Sequence, residues 1–289
     1  MFGIGELTHL VKHSLDTQVS LARLRRRHTL EDRVARRTVL ITGASSGIGR
    51  AAALRIAAAG ATVALVARRE EELRQVSEEI AAQGGTAVAY PCDLTDFDAL
   101  DSMVAQVLAK HGGVDVLVNN AGRSIRRPVA ESYDRFHDYE RTMRLNYFAS
   151  TRLILAVLPG MRERRDGHVV SVLSLANLFG GANYSAYVAS KAALDSLTSS
   201  LHIETRSENV RFTSIYMPLV RTAMAAPNPR HRNSAALSPE EGAGAICDAI
   251  IDRPRRIGPV LGRFAALLDI TLTERFDEVR SIRFQEGRS

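Results

Sequence analysis

Thr38-Val39-Leu40-Ile41-Thr42-Gly43-Ala44-Ser45-Ser46-Gly47-Ile48-Gly49 is the stretch that decides how the rest of the chain folds. Its first five residues are β-branched or apolar, the composition of a strand buried on both faces of a parallel sheet. The next seven hold three glycines. An alanine-rich helical run follows at 50–59, Gly60 closes it, and 61–67 is strand-like again. Strand, glycine loop, helix, strand is the setting in which such glycines acquire a purpose. They permit a tight turn and let backbone N–H groups approach a pyrophosphate, and the helix N-terminus adds its positive end. Gly43, Ser45, Ser46, Gly47, Ile48 and Gly49 are therefore expected to hold a dinucleotide.

The flavour of that dinucleotide is read where the second strand ends. A carboxylate there would accept hydrogen bonds from a ribose 2′-OH. Ala67 is followed instead by Arg68 and Arg69, which offer guanidinium to a 2′-phosphate. NADP(H) is the expected cofactor, with Arg68 as its specific contact; the bland alternative leaves both arginines solvated at a helix start.

The alternation of strand and helix continues. Helices are expected at 70–83, 96–111, 133–161 and 185–207, with strands at 86–90, 114–118, 167–173 and 210–216. This pattern predicts an α/β fold: a Rossmann-like, doubly wound parallel sheet with helices on both faces and right-handed crossovers. Ligands bind such sheets at the carboxyl ends of the strands. Asp93 and Leu94 fall there after the third strand, and Asn119-Asn120-Ala121-Gly122 after the fourth. Asp93 has two readings: a bond to the adenine amino group, or an N-terminal cap for the next helix.

Tyr187 and Lys191 lie four residues apart within the 185–207 helix, so they share one face. A cation beneath a phenol favours the phenolate and draws its pKa down from about 10 toward the working range. Tyr184 has Val188 in the corresponding place and lacks such a partner. By itself the pair is a weak signal, because Tyr and Lys often fall four apart by chance.

The 289 residues carry a formal charge of +6 and suit one large α/β domain. Residues 1–38 hold eight Lys/Arg against four Asp/Glu, so most of the excess is N-terminal and a nucleic-acid-binding body is not indicated. The sequence has no apolar run long enough to span a membrane and no long apolar core of a signal peptide near its start. Cys92 and Cys247 are far apart and lack ligand-spaced histidines, which suits a reducing compartment without zinc or a disulfide framework. No metal is expected, and the expected location is cytoplasmic.

Three regions are expected. Residues 1–37 form a basic helical extension, with Leu7, Val11, Leu15 and Val19 at helical spacing before Arg23, Arg25, Arg26 and Arg27. It either packs on the domain or on a second subunit, or rests on the inner face of a membrane as a peripheral anchor. Residues 38–255 form the catalytic domain, with a substrate loop at about 218–238 and a helix opened by Ser238 as N-cap and Pro239. Residues 256–289 form an amphipathic extension marked by Phe264, Leu267, Leu268, Phe276 and Val279. A homo-oligomer, dimer or tetramer, is expected.

Taken together, Thr42-Gly43, Gly47-Ile48-Gly49, Asn119-Asn120-Ala121-Gly122, Asn146, Ser174 and Tyr187 with Lys191 resemble the short-chain dehydrogenase/reductase family over roughly residues 38–255. The resemblance implies a catalytic set. Tyr187 would donate the proton, and Lys191 would lower its pKa and hold the nicotinamide ribose. Ser174 would orient the carbonyl, and Asn146 would hold a water that links Lys191 to solvent. Asn120, Ala121, Gly122, Pro218 and Val220 would join the cofactor contacts. Ser171 is the other candidate serine, three residues away from the expected spacing. Pro218-Leu219 stands where the family often has Pro-Gly.

A narrower resemblance is to bacterial fatty acyl-CoA reductases that form aldehydes. It rests on Arg123-Ser124-Ile125-Arg126-Arg127, Tyr133-Asp134-Arg135-Phe136-His137-Asp138, Leu145-Asn146-Tyr147-Phe148 and Met217-Pro218-Leu219-Val220-Arg221-Thr222. It implies an acyl thioester substrate carried by coenzyme A or a carrier protein. Arg126 and Arg127, with Arg123, would meet its phosphates, and Asn177 would line the substrate side. The segment 173–181 departs from the pattern of those reductases. The alternatives are a ketone or 3-oxoacyl reductase and, outside catalysis, an NADPH-binding regulator.

Overall fold

The structure is a computed structural model that describes residues 28–178, 180–226, 234, 236–259 and 272–286. A short helix α1 (Leu30–Val34) leads into β1 (Thr38–Thr42). Then come α2 (Gly47–Ala58), β2 (Thr62–Ala67), α3 (Glu70–Ala82), β3 (Thr86–Pro91), α4 (Phe97–His111) and β4 (Val116–Asn119). The chain continues through α5 (Phe136–Met143), α6 (Ser150–Glu163), β5 (Gly167–Ser174), α7 (Ser185–Thr205) and β6 (Val210–Met217). It ends with α8 (Pro239–Asp252), β7 (Arg256–Ile257) and α9 (Thr273–Glu286).

The strands form one seven-stranded sheet in the order β3-β2-β1-β4-β5-β6-β7, parallel throughout. Every residue of β1 and β4 is buried, as their apolar composition requires between two helical layers. One apolar core joins the sheet to α1, α2, α3 and α8, and a second joins it to α4, α6 and α7. Strand order reverses between β1 and β4, where Ile41 pairs with Val118. That reversal opens a crevice at the carboxyl ends of the strands.

Two elements differ from the sequence expectation. The helix expected over 133–161 is two α-helices joined by a π-helical segment, Arg144–Ala149. The polar and apolar periodicity runs through that segment, so the pattern alone does not show the change of winding. β7 is two residues long, too short for any alternation to register, and it pairs with Ser214 and Ile215. Pro91 ends β3 at the sheet edge, where its missing N–H costs no ladder bond. Ser238 caps α8 as expected: its hydroxyl accepts from Glu241 N–H at 3.1 Å, and the Glu241 carboxylate accepts from Ser238 N–H at 2.8 Å. The expected helix around Leu7 to Val19, the arginines at 23–27, the loop residues Pro227 and Pro229, and Phe264, Leu267 and Leu268 lie outside the described residues.

Glycine is required where α2 meets the first strand. A Cβ on Gly49 would stand 2.3 Å from the Gly43 carbonyl oxygen and 2.6 Å from Asn120 Nδ2. Gly49→Ala is expected to cost about 1–3 kcal/mol, the range for overpacking a close contact. Gly244→Ala is the contrast: in α8 a new methyl would meet only the flexible end of Arg55, at 3.3 Å. It should stabilise by up to about 1 kcal/mol through helix propensity. Urea unfolding of the two variants should move the midpoint in opposite directions.

Candidate active site

The crevice begins at the glycine loop. Gly43 and Gly47 adopt φ of +66° and +54°, which side chains with a Cβ rarely tolerate. Ser46 is the N-cap of α2, yet its side chain makes no capping bond, so the N–H groups of the first turn keep their donor capacity for a ligand. Thr42 ties this loop to the end of β4. Its hydroxyl donates to Val118 C=O at 3.2 Å and accepts from Asn120 N–H and Ala121 N–H, both at 3.0 Å. Asn120 Nδ2 donates to Thr42 C=O at 2.9 Å. The Asn120 side chain thus braces the loop rather than reaching outward.

A cavity of about 800 Å³ opens from this loop and is lined by Gly43, Ser45, Ser46, Gly47 and Ile48 at one side. Arg68, Asp93, Leu94, Asn120, Ala121 and Gly122 also line it, as do Pro218 and Val220. Size, uncapped N–H groups and terminal cations together fit a phosphorylated dinucleotide. The structure adds Arg69, which the sequence reading named beside Arg68 but did not assign. Its guanidinium lies 3.3 Å from Ser45 Oγ and 3.4 Å from Ser46 Oγ, and pairs with Glu72 at 2.9 Å. Asp93 does not cap α4; that position belongs to Asp96, whose Oδ1 accepts from Asp98 and Ala99 N–H. Asp93 instead accepts from Thr95 N–H at 2.9 Å and Thr95 Oγ1 at 2.8 Å. Burial raises its pKa, but those bonds with Arg68 and Arg123 outweigh it and hold the carboxyl below its usual range.

Tyr187, Ser174 and Lys191 line the same cavity. The Ser174 hydroxyl stands near enough to the Tyr187 phenol to favour its ionised form. Lys191 Nζ is buried and donates to Val172 C=O at 2.8 Å. A Cβ on Gly122 would stand 3.4 Å from that amine, so glycine lets the chain after β4 pass beside it. Asn146 is fully buried within the π-helical segment. Its Oδ1 accepts from Arg123 N–H at 2.8 Å, and its Nδ2 donates to Arg123 C=O at 2.9 Å and to Ser190 Oγ at 2.9 Å. Ser190 Oγ in turn donates to Tyr187 C=O at 2.7 Å. The side chain of Asn146 is therefore committed to fixing the loop after β4 and the turn of α7 that carries Tyr187. Ser190 stood in the sequence three residues after Tyr187 and gave no separate signal.

The electrostatics differ from the sequence expectation. Tyr187 is raised above its ordinary value, because burial penalises the phenolate more than the Ser174 hydroxyl stabilises it; Tyr184 adds to the rise. Burial also brings Lys191 down to about 8, so its ammonium form predominates at neutrality and is lost as the pH rises through that value. In this structure the phenol keeps its proton.

The residues expected on the substrate side separate. Arg126 lines the cavity, and Arg127 does not. Arg127 Nε donates to the buried carboxylate of Asp138 at 2.8 Å, because a carboxylate in that setting must be paired. Asn177 is likewise absent from the lining. Its Oδ1 accepts from Ser174 N–H at 3.2 Å, and its Nδ2 donates to Val188 C=O at 3.2 Å. It clamps the end of β5 to α7. Ser171 is buried in mid-strand, 3.4 Å from Thr198 Oγ1. Past β6, Val220 bridges to Leu237, and Leu237 N–H donates to Leu219 C=O at 2.9 Å. The base of the 218–238 loop is pinned in this way. Among the described residues there is no group of three metal-ligating side chains, and no helix is long and apolar enough to cross a membrane.

Comparison with known proteins agrees with this arrangement. The sequence model of the family described as short chain dehydrogenase matches residues 37–233. A fatty acyl-CoA reductase of Acinetobacter baylyi is 52% identical over 236 residues, 82% of this chain and 80% of that protein. An uncharacterized oxidoreductase of Mycobacterium tuberculosis is 52% identical over 258 residues, 88% of this chain and 76% of that protein. Among solved structures, a metagenomic short-chain oxidoreductase in complex with NADP superposes with a TM-score of 0.67 at 32% identity, over 78% of this chain and 96% of that one. A 7α-hydroxysteroid dehydrogenase complexed with NADH and 7-oxo glycochenodeoxycholic acid gives 0.73 at 27% identity, over 80% and 94%. With a glycine cradle, a Tyr-Lys-Ser cluster beside it and a family match across most of its length, this oxidoreductase belongs to the short-chain dehydrogenase family.

Proposed function

We propose that the protein is an NADP(H)-dependent reductase that converts a fatty acyl thioester, most simply an acyl-CoA, to the aldehyde. The observation that carries this reading is the make-up of one cavity. It is lined at once by Arg68 and Arg69, by Tyr187, Ser174 and Lys191, by apolar Leu145, Leu175, Met217, Leu219 and Met224, and by Arg126. Such a lining offers cations for phosphates, a proton donor, and an apolar wall for an acyl chain. The reductase of A. baylyi supports the same substrate class. Residues 38–255 would supply the catalytic domain, with the terminal segments as additions to it.

When bound, the dinucleotide supplies the hydride that adds to the carbonyl carbon. The chain's own residues handle the oxygen and the proton. Ser174 and Tyr187 direct hydroxyl groups toward the carbonyl oxygen, where negative charge develops. Tyr187 gives up its proton to that oxygen; its raised pKa keeps it protonated until then. The phenolate left behind is stabilised by the Ser174 hydroxyl and by Lys191 in its ammonium form. With a thioester the first product is a hemithioacetal, which expels thiol and leaves the aldehyde.

No cysteine is suited to an acyl-enzyme route. Burial, with Asp93 and Asp96 nearby, pushes the Cys92 thiol up to about 11, and the thiolate is the nucleophile. Cys247 is buried in α8. The second reading is a ketone reductase, favoured by the 7-oxo ligand of the hydroxysteroid dehydrogenase neighbour.

The deciding assay follows NADPH oxidation with palmitoyl-CoA, a 3-oxoacyl thioester and a set of ketones, with products identified. Aldehyde from palmitoyl-CoA is expected; secondary alcohols alone would establish the ketone reading. Tyr187→Phe keeps the ring and removes the donor. Its turnover should fall at least ~100-fold, the lower range for a general acid, while titrated NADPH binding persists. Replacing Cys92 and Cys247 by Ala together should leave aldehyde formation within a few-fold of the parent. Arg126→Ala should raise KM for acyl-CoA but not for a free aldehyde; equal losses on both would make Arg126 structural.

A further inference from the structure

We propose that Arg123 is a specificity-determining residue for the phosphorylated adenosine end of the dinucleotide, where it acts with Arg68, and is not a substrate contact. This rests on the NADP(H) reading above. The residue lines the cleft beside Arg68 and Asp93, which also line it. Its backbone is fixed at the catalytic end, because Asn146 accepts from its N–H at 2.8 Å and donates to its C=O at 2.9 Å. Its guanidinium lies within the electrostatic reach of Arg68 and Asp93, at the end of the cavity that faces β2 and β3.

The charges there do not balance. Arg68 and Arg123, both on the cavity wall, bear on the one carboxylate of Asp93, with Arg141 adding its charge near Arg123, and Asp93 already accepts from Thr95 N–H and Oγ1. Among the described residues, none of these three arginines makes an ion pair. Burial first, then Arg141 and Arg68, make the charged form of Arg123 harder to keep. Holding guanidinium groups together in a partly enclosed cavity costs energy that an anion would relieve. This surplus of positive charge suits a phosphate monoester dianion. Guanidinium also suits phosphate through paired N–H donors. The pyrophosphate has its own donors at the α2 N-terminus, so the unmatched charge falls to the additional phosphate on the ribose. Because both backbone polar groups of Arg123 are clamped, its guanidinium is presented from a fixed base.

Calorimetric titration of the full-length protein with NADPH, NADH, 2′,5′-ADP and 5′-AMP tests this. Arg123→Ala should weaken NADPH and 2′,5′-ADP by about 10-fold or more, as for a hydrogen bond to a charged group. NADH and 5′-AMP should change less than about twofold. Arg123→Lys should recover part of the loss, and it serves as the test variant if the alanine protein does not fold. Equal weakening of phosphorylated and unphosphorylated ligands would make Arg123 an adenine or structural contact and overturn the proposal. So would unchanged NADPH binding with acyl-CoA binding lost. If the parent protein binds NADH as tightly as NADPH, and 5′-AMP as tightly as 2′,5′-ADP, the cofactor reading fails and this inference fails with it.

Discussion

The constraint on which the rest depends is the contact between the glycine loop and the end of β4. Thr42 uses its full hydrogen-bonding capacity there, one donor and two acceptors, on Val118, Asn120 and Ala121. Asn120 returns a bond to Thr42 C=O. The backbones approach so closely that a Cβ on Gly43 would lie 3.0 Å from Asn120 Nδ2 and 3.1 Å from Ala121 Cα. Two strands distant in sequence are locked together where strand order reverses. That lock fixes the start of α2 on one side and the path of residues 120–123 on the other. Both the phosphate cradle and the passage beside Lys191 follow from it.

The catalytic end obeys a second constraint, which is burial. Lys191 and Tyr187 are held where ionisation is costly, so the amine is lowered to about 8 and the phenol is raised. A spacing argument on a helix treats the pair as if it sat in water, where a nearby cation would only lower the phenol. Enclosure reverses the balance in the resting site. It also makes the pair responsive: in a water-poor cavity, new charge on the carbonyl oxygen is felt more strongly than it would be in solvent.

Much of this architecture was legible in the sequence because buried parallel strands leave no alternative to apolar β-branched runs. β1, β2, β5 and β6 begin within a residue of the expected positions, and the glycine loop follows from β1 directly. The π-helical turn around Asn146 was not legible, since its winding depends on contacts with Arg123 and Ser190 rather than on its own composition. The same holds for Asn177. An amide on the loop after Ser174 suggests a ligand contact by position, and only the approach of Val188 shows that both its polar atoms are used internally. Resemblance supplied the roles of Tyr187, Ser174 and Lys191. The structure supplied the bracing that holds them.

The arginines after β4 show how one run of like charge divides by what each side chain meets. Arg127 meets the buried carboxylate of Asp138, which Arg135 also approaches at 3.6 Å, and the pair becomes part of the scaffold. Arg126 lines the cavity without such a partner among the described residues. Arg123 lines it too, with its backbone clamped to Asn146 and its charge within reach of Arg141, Arg68 and Asp93. A row of three cations read as one phosphate-binding cluster is thus a structural pair, a cation available at the cavity wall, and a second lining cation whose backbone is clamped to Asn146. Sequence spacing cannot sort them, because the sorting is done by carboxylates and amides that arrive from other elements. In a site rich in guanidinium, the informative residues are the few acceptors, since they decide which cations remain for a ligand.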